Sequence, residues 1–92
     1  MKKLRSNLTN CLINFFKEKY ETKITQKEIN ISITRDEFDG DLTLIVFPLV
    51  KFSKDDLFTT SNKIGNYILS KIPCIINYNI IKGFLNIVIS DE

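Results

Sequence analysis

The densest run of polar side chains is Arg35-Asp36-Glu37-Phe38-Asp39-Gly40-Asp41: four carboxylates, one arginine, one aromatic and one glycine. Carboxylates so close together invite a hard divalent cation. A calcium loop, however, places oxygen ligands at alternate positions and a glutamate at the twelfth. Counted from Asp36, the third position is Phe38 and the twelfth is Phe47, so the pattern fails. Paired carboxylates also do acid–base work where a pocket perturbs them, and a hairpin tip offers no pocket. What remains is a solvated turn in which Gly40 takes a positive φ and the aspartates bond to nearby backbone. Phe38 is the odd residue. It either staples into the core or stands out as a stacking platform for a base or a partner side chain. A second glycine turn, Lys82-Gly83-Phe84, is either a tight turn with a solvated lysine or one whose Lys82 contacts a phosphate.

The composition narrows the chemistry further. The chain has 92 residues and no histidine, so Ser-His-Asp and Cys-His catalysis and histidine-based zinc sites are excluded. A stand-alone enzyme is not expected. Ninety-two residues make one domain, 1–92, with 43% apolar and 26% charged side chains, which is globular composition. Isoleucine, lysine and asparagine are abundant and alanine is absent, as in the products of a genome rich in A and T. Lysine count is therefore poor evidence for nucleic acid, and a formal charge of +2 is no strong field for phosphate. Cys11 and Cys74 lie far apart without a CxxC, and read as two buried, reduced thiols of a cytosolic protein. The first sixteen residues, MKKLRSNLTNCLINFF, lack the continuous apolar stretch of a signal peptide, and no run is long enough to span a membrane.

The elements that must position these turns follow from periodicity. Leu4, Leu8, Cys11, Leu12, Phe15 and Phe16 draw one face of a helix from about Lys2 to Tyr20. Ile29, Ile31 and Ile33 alternate with polar residues within 28–34, a half-buried strand. Residues 42–50, LTLIVFPLV, read as a strand ended by Pro48, apolar on both faces. Ser53 as N-cap, with Asp55 and Asp56 at the positive end of the dipole, opens a second helix whose stripe holds Leu57, Ser61, Ile64, Gly65, Ile68 and Ile72 before Pro73. Gly65 on that stripe points to close packing on the sheet. Residues 74–80 and 84–90 flank Ile81-Lys82-Gly83 as a hairpin. The order α-β-β-α-β-β predicts a two-layer α+β fold, a four-stranded, mainly antiparallel sheet with two helices on one face. Composition and spacing alone end at a small binding or interaction module.

Two segments add a resemblance. Residues 38–49, FDGDLTLIVFPL, resemble the FxGDLTLxVFPL segment near the N-terminus of one bacterial subgroup of arginyl-tRNA synthetases, and residues 82–87, KGFLNI, resemble the segment that closes the same domain. The resemblance covers essentially the whole chain. It implies the N-terminal additional domain, an α+β module that grips the D-loop at the elbow of tRNA-Arg. On that reading Phe38, Gly40 and Asp41 belong to the turn that approaches the D-loop. Thr43 stands where many members carry a glutamine and Leu42 where they carry an aromatic; Thr43 offers a single hydroxyl where the longer amide would read a base edge. Arg35 and Lys82 become phosphate or sugar contacts, and Asn86 falls in the closing motif. The synthetase's ATP-binding signatures are absent from this sequence. The resemblance therefore implies a non-catalytic piece of a longer, cytoplasmic ligase whose catalytic and anticodon-binding domains would use ATP and Mg2+. The chain itself would carry no cofactor and no metal. The competing reading is a protein-interaction or scaffold module using an edge strand or an apolar sheet face with Ile45 and Phe47.

Overall fold

Helix α1 (Lys2–Tyr20) opens the fold in a computed structural model that describes residues 2–90. Leu8, Leu12, Phe15 and Phe16 from its apolar stripe are buried. The chain then meets Thr25, whose side chain and backbone share a capping box with Glu28: the Thr25 N–H and hydroxyl both donate to Glu28 Oε2, at 2.9 and 2.6 Å. That box winds Gln26–Glu28 into a 3₁₀ turn. It takes three residues from the front of the expected strand, and β1 is only Ile31–Ile33. At the edge of the sheet, the isoleucine alternation is also less buried than expected, and Ile33 is 72% exposed.

Strand β2 (Leu42–Ile45) is likewise shorter than the apolar run that contains it. Phe47–Leu49 forms a 3₁₀ turn and Val50–Ser53 a single helical turn, α2. Pro48 explains the change: it has no N–H for a ladder, and its fixed φ suits a first helical turn. The expected N-cap is displaced as a result. Ser53 ends α2, Lys54 takes a left-handed φ of 61°, and the Ser53 hydroxyl turns inward to Thr60 Oγ1 at 2.6 Å. Asp56 caps α3 (Leu57–Lys71) instead, accepting from the Thr59 N–H at 2.7 Å.

The hairpin arrives where the sequence puts it, with β3 (Ile75–Ile81) and β4 (Phe84–Ile89) joined at Lys82-Gly83. Both turn residues have positive φ, 43° and 88°, the mirror-image turn that matches strand twist. The sheet order is β1-β2-β4-β3, and each neighbour pair is antiparallel. The α+β architecture stands as read, with the small α2 in addition to the two long helices.

One face of this sheet is the core. Leu42, Leu44, Leu85 and Ile87 bury completely against the stripes of α1 and α3. Gly65 is required by that packing: a Cβ there would stand 2.5 Å from the Tyr78 ring of β3. Tyrosines clamp the two helices. The Tyr67 hydroxyl donates to Glu18 at 2.9 Å, and burial beside that carboxylate pushes it up to about 12. Both thiols are free and half-buried rather than buried, and burial pushes the Cys11 thiol up. No helix among the described residues is long and apolar enough to cross a membrane.

Candidate nucleic-acid interface

The strands that bury leucine on one side present different residues on the other. Register places Ser32, Thr43, Asn86 and Asn79 in one row across the sheet, and Ile45, Phe84 and Ile81 in the next. No helix lies over these rows. The loop 34–41 folds down onto part of them and is tied there by side chains. Thr43 Oγ1 lies 2.8 Å from Thr34 Oγ1 and donates to Asn86 Oδ1 at 2.7 Å. Asn86 Nδ2 donates to Asn79 Oδ1, and Asn79 Nδ2 donates to the Asp39 carbonyl, both at 2.9 Å. The ladder is closed: among the described residues no buried side-chain nitrogen or oxygen lacks a partner.

This arrangement divides the six residues singled out from the sequence. Gly40, Asp41 and Thr43 have structural work. Gly40 has a φ of 140°, and a Cβ there would stand 3.1 Å from Asn86 Cβ. Asp41 extends the β2–β4 ladder, its N–H donating to the Ile87 carbonyl and its carboxylate accepting from the Ile89 N–H, both at 2.8 Å. Thr43 is buried in the ladder. Asn86, whose strand role was weighed from the sequence, is 1% exposed and is the centre of the network.

Arg35 and Phe38 are presented. Arg35 is paired with Glu37 at 3.7 Å between exposed side chains, an interaction weak enough to exchange for another anion. Phe38, left open as staple or platform, is 37% exposed. It lines a groove of about 310 Å3 on the open face, with Arg35 from the same loop, Thr43 and Asn86 beneath, and Ile45, Ile81 and Phe84 from the next row. Phe84 was not singled out, although the alternation of Phe84, Asn86 and Val88 with Leu85, Ile87 and Ile89 signals that it shares the Asn86 face. It is 43% exposed.

Lys82 is not brought to this group. It sits at the hairpin turn, at the far end of β4 from Gly40. Gly83 bonds β2's exit and Ile87 bonds Asp41, four strand residues or about 13 Å apart. Of the two residues named for an apolar docking face, Ile45 lines the groove, whereas Phe47 has left the sheet in the 3₁₀ turn.

Chemically, the groove offers two aromatic surfaces, one guanidinium and a floor of amide and hydroxyl groups. Stacking and edge contacts are within its means. Among the described residues, no three His, Cys, Asp or Glu side chains gather as metal ligands.

No protein-family model matches the sequence. Individual relatives do. The chain is 36% identical over 87 residues to the arginine–tRNA ligase of Parabacteroides distasonis and 36% identical over 88 residues to that of Bacteroides thetaiotaomicron. It is 38% identical over 84 residues to the arginine–tRNA ligase of Amoebophilus asiaticus. These alignments cover 95%, 96% and 91% of this chain but only 15%, 15% and 14% of the relatives. The chain belongs with the arginine–tRNA ligases, as a homologue of one domain-sized part of them.

Proposed function

We propose that the chain is the N-terminal tRNA-binding module of an arginine–tRNA ligase, and that its open sheet face grips the D-loop at the elbow of tRNA-Arg. The observation that supports this most is the groove in which Arg35, Phe38 and Phe84 meet above Thr43 and Asn86. An unpaired D-loop base has a π-face whatever its identity, and stacks on an aromatic without needing a strong positive field. Arg35 supplies a phosphate or sugar contact, and Lys82 at the other end of the face a separate one.

The module positions the tRNA and does no catalysis. Arginine would be joined to tRNA in the cytoplasm by catalytic and anticodon-binding domains elsewhere in the ligase, and those domains would hold ATP and Mg2+. The formal charge of +2 limits what the module can hold alone. Its affinity should be micromolar or weaker, with a shallow dependence on salt.

The test is titration of tRNA-Arg into the 15N-labelled chain. Amide shifts are expected at Arg35, Phe38, Thr43, Phe84 and Asn86. Phe38→Ser should lose the stacking of one base, worth about 1–3 kcal/mol. Shifts confined to α1 and α3, with the groove silent, would refute the reading.

A further inference from the structure

The two outer strands of the sheet, β1 and β3, are finished differently. Antiparallel register decides which backbone groups of each face out. On β1, Asn30 bonds Ile45 and Thr34 bonds Asp41, so Ile31 and Ile33 turn away from the sheet. The Ile31 carbonyl is taken by Arg5 of α1, whose guanidinium donates to it at 3.2 Å. A short edge covered by a charged side chain is one way natural sheets avoid pairing with other chains. On the other side, the Val46 N–H bonds Gly83, so Leu85 and Ile87 of β4 turn to β2, and Phe84 and Asn86 turn to β3. Their partners Ile81 and Asn79 face inward, which leaves the N–H and carbonyl groups of Tyr78 and Ile80 facing out. Among the described residues only the Tyr78 N–H is taken, by the Asn77 side chain at 2.9 Å. The register shift of β3 lies at Ile75/Asn77, before this stretch.

The open edge also carries no charge. Residues 72–81, IPCIINYNII, hold no Asp, Glu, Lys or Arg in a chain that is 26% charged. Tyr78 and Ile80 lie opposite Ile87 and Leu85, so their side chains stand on the helix side of the sheet. The Tyr78 ring fits against Gly65 of α3, and its hydroxyl lies 2.8 Å from the amide oxygens of both Asn62 and Asn66. Strand edge and helix flank are thus joined through Tyr78 into one uncharged strip. We propose that β3 pairs antiparallel with β3 of a second copy of this chain, about a twofold axis at Asn79, so that two sheets become one. In that register the Ile80 N–H of each copy donates to the Tyr78 carbonyl of the other, and the Tyr78 N–H exchanges Asn77 for the other copy's Ile80 carbonyl. Tyr78 of each copy packs on Ile80 of the other, and Asn79 meets Asn79. A surface that matches itself must not repel itself, and a strip free of charge meets that condition, whereas a charged partner would find nothing there to attract it. Twofold pairing within one sheet sets both open faces on the same side, so the dimer presents two grooves on one surface.

The proposal does not rest on the D-loop reading, because Tyr78, Ile80 and the α3 flank lie on the helix side of the sheet and the groove opens on the other. A contact built on so short a strip is at the small end of interfaces, so the dimer should form only at roughly 0.1–1 mM. Its test is sedimentation equilibrium of the chain up to that range, where the mass should rise from 10.7 kDa toward twice that value. Amide shifts that grow with concentration are expected at Tyr78, Asn79 and Ile80. In a mixture of labelled and unlabelled chains, the Tyr78 ring should show NOEs to the Ile80 methyls of the other copy. Ile80→Lys should weaken the dimer about tenfold or more. Ile80 is half-buried, so Asn62→Lys, on the exposed flank of α3, is the second variant. It sets like charges near the axis, should weaken the dimer in the same sense, and should keep the spectrum of the core. A chain that stays monomeric at about 1 mM would overturn the proposal. So would a dimer that persists in Asn62→Lys, or one whose shifts fall on β1 or the groove with β3 silent.

Discussion

The two faces of the sheet are built by alternate residues of the same strands, and they are held together by different physics. On the covered face, Leu42, Leu44, Leu85 and Ile87 are buried by two helices and contribute through removal of apolar surface from water. On the open face, Thr43 and Asn86 are also buried, at 8% and 1% exposure, although no helix lies above them. Their cover is the loop 34–41 and their own neighbours, and their stability depends on every polar atom having a partner. The covered face is thus insensitive to which apolar residue meets which, within volume. The open face is a directional network that holds a loop. That loop carries Arg35 and Phe38, so the face proposed to bind tRNA is also the one with the least tolerance for a missing hydrogen bond.

Four substitutions probe this contrast, from the largest expected effect to the smallest. Leu85→Ala should cost about 2–5 kcal/mol by loss of transfer free energy and a residual cavity, read as a lowered urea midpoint. Asn86→Ala should cost about 1–3 kcal/mol, because it takes from Thr43 its acceptor and from Asn79 Oδ1 its donor in a covered site. If Asn86→Ala costs as much as Leu85→Ala, the polar ladder is the greater support of the fold and the contrast is inverted. Asn79→Ala removes the tie to the Asp39 carbonyl and the acceptor of the Asn86 amide, but Asn79 is half-buried and water can replace it, so the cost should be about 1 kcal/mol. Its mark should be faster amide exchange confined to residues 35–40, and exchange unchanged there would mean that the loop holds its position without the ladder.

The smallest effect concerns the covering helix. The Asp56 carboxyl is held below the usual carboxylate range, mainly by the Thr59 N–H it accepts. A depressed folded-state pKa means that this cap stabilises above the unfolded-state value and is lost as pH falls through the folded one. Asp56→Asn also caps a helix, and so should leave stability at neutral pH nearly unchanged while flattening the acid limb of the curve. Identical acid limbs in the two proteins would show that the charge on Asp56 is idle.

Much of the covered face was legible in advance because helix and strand periods are local properties. The stripe of α1, the hairpin at Lys82-Gly83 and the need for Gly65 against the sheet all follow from residues a few positions apart. The limits of β1 and β2 did not. The Thr25–Glu28 capping box imposes a turn ahead of β1, where a short edge segment has little pairing to lose, and Pro48 ends the interior strand β2 because it has no N–H for the ladder. The candidate site was half legible. Arg35 and Phe38 stood out by composition and do face the groove. Gly40, Asp41 and Thr43 stood out by motif, and their observed contacts hold the loop.

The sequence by itself determined the fold class, the element order, the absence of histidine chemistry and the identity of the two turns. Each depends on residue type or on spacing within one element. Only the tertiary structure decided that Phe84 and Asn86 share a groove with Phe38, and that Lys82 lies at the opposite end of β4. The physical reason is that strand register is fixed by pairing between distant segments. Asn86 lies opposite Thr43 because Leu85 and Ile87 must enter the same core as Leu44 and Leu42, and the polar face inherits whatever register the buried face requires.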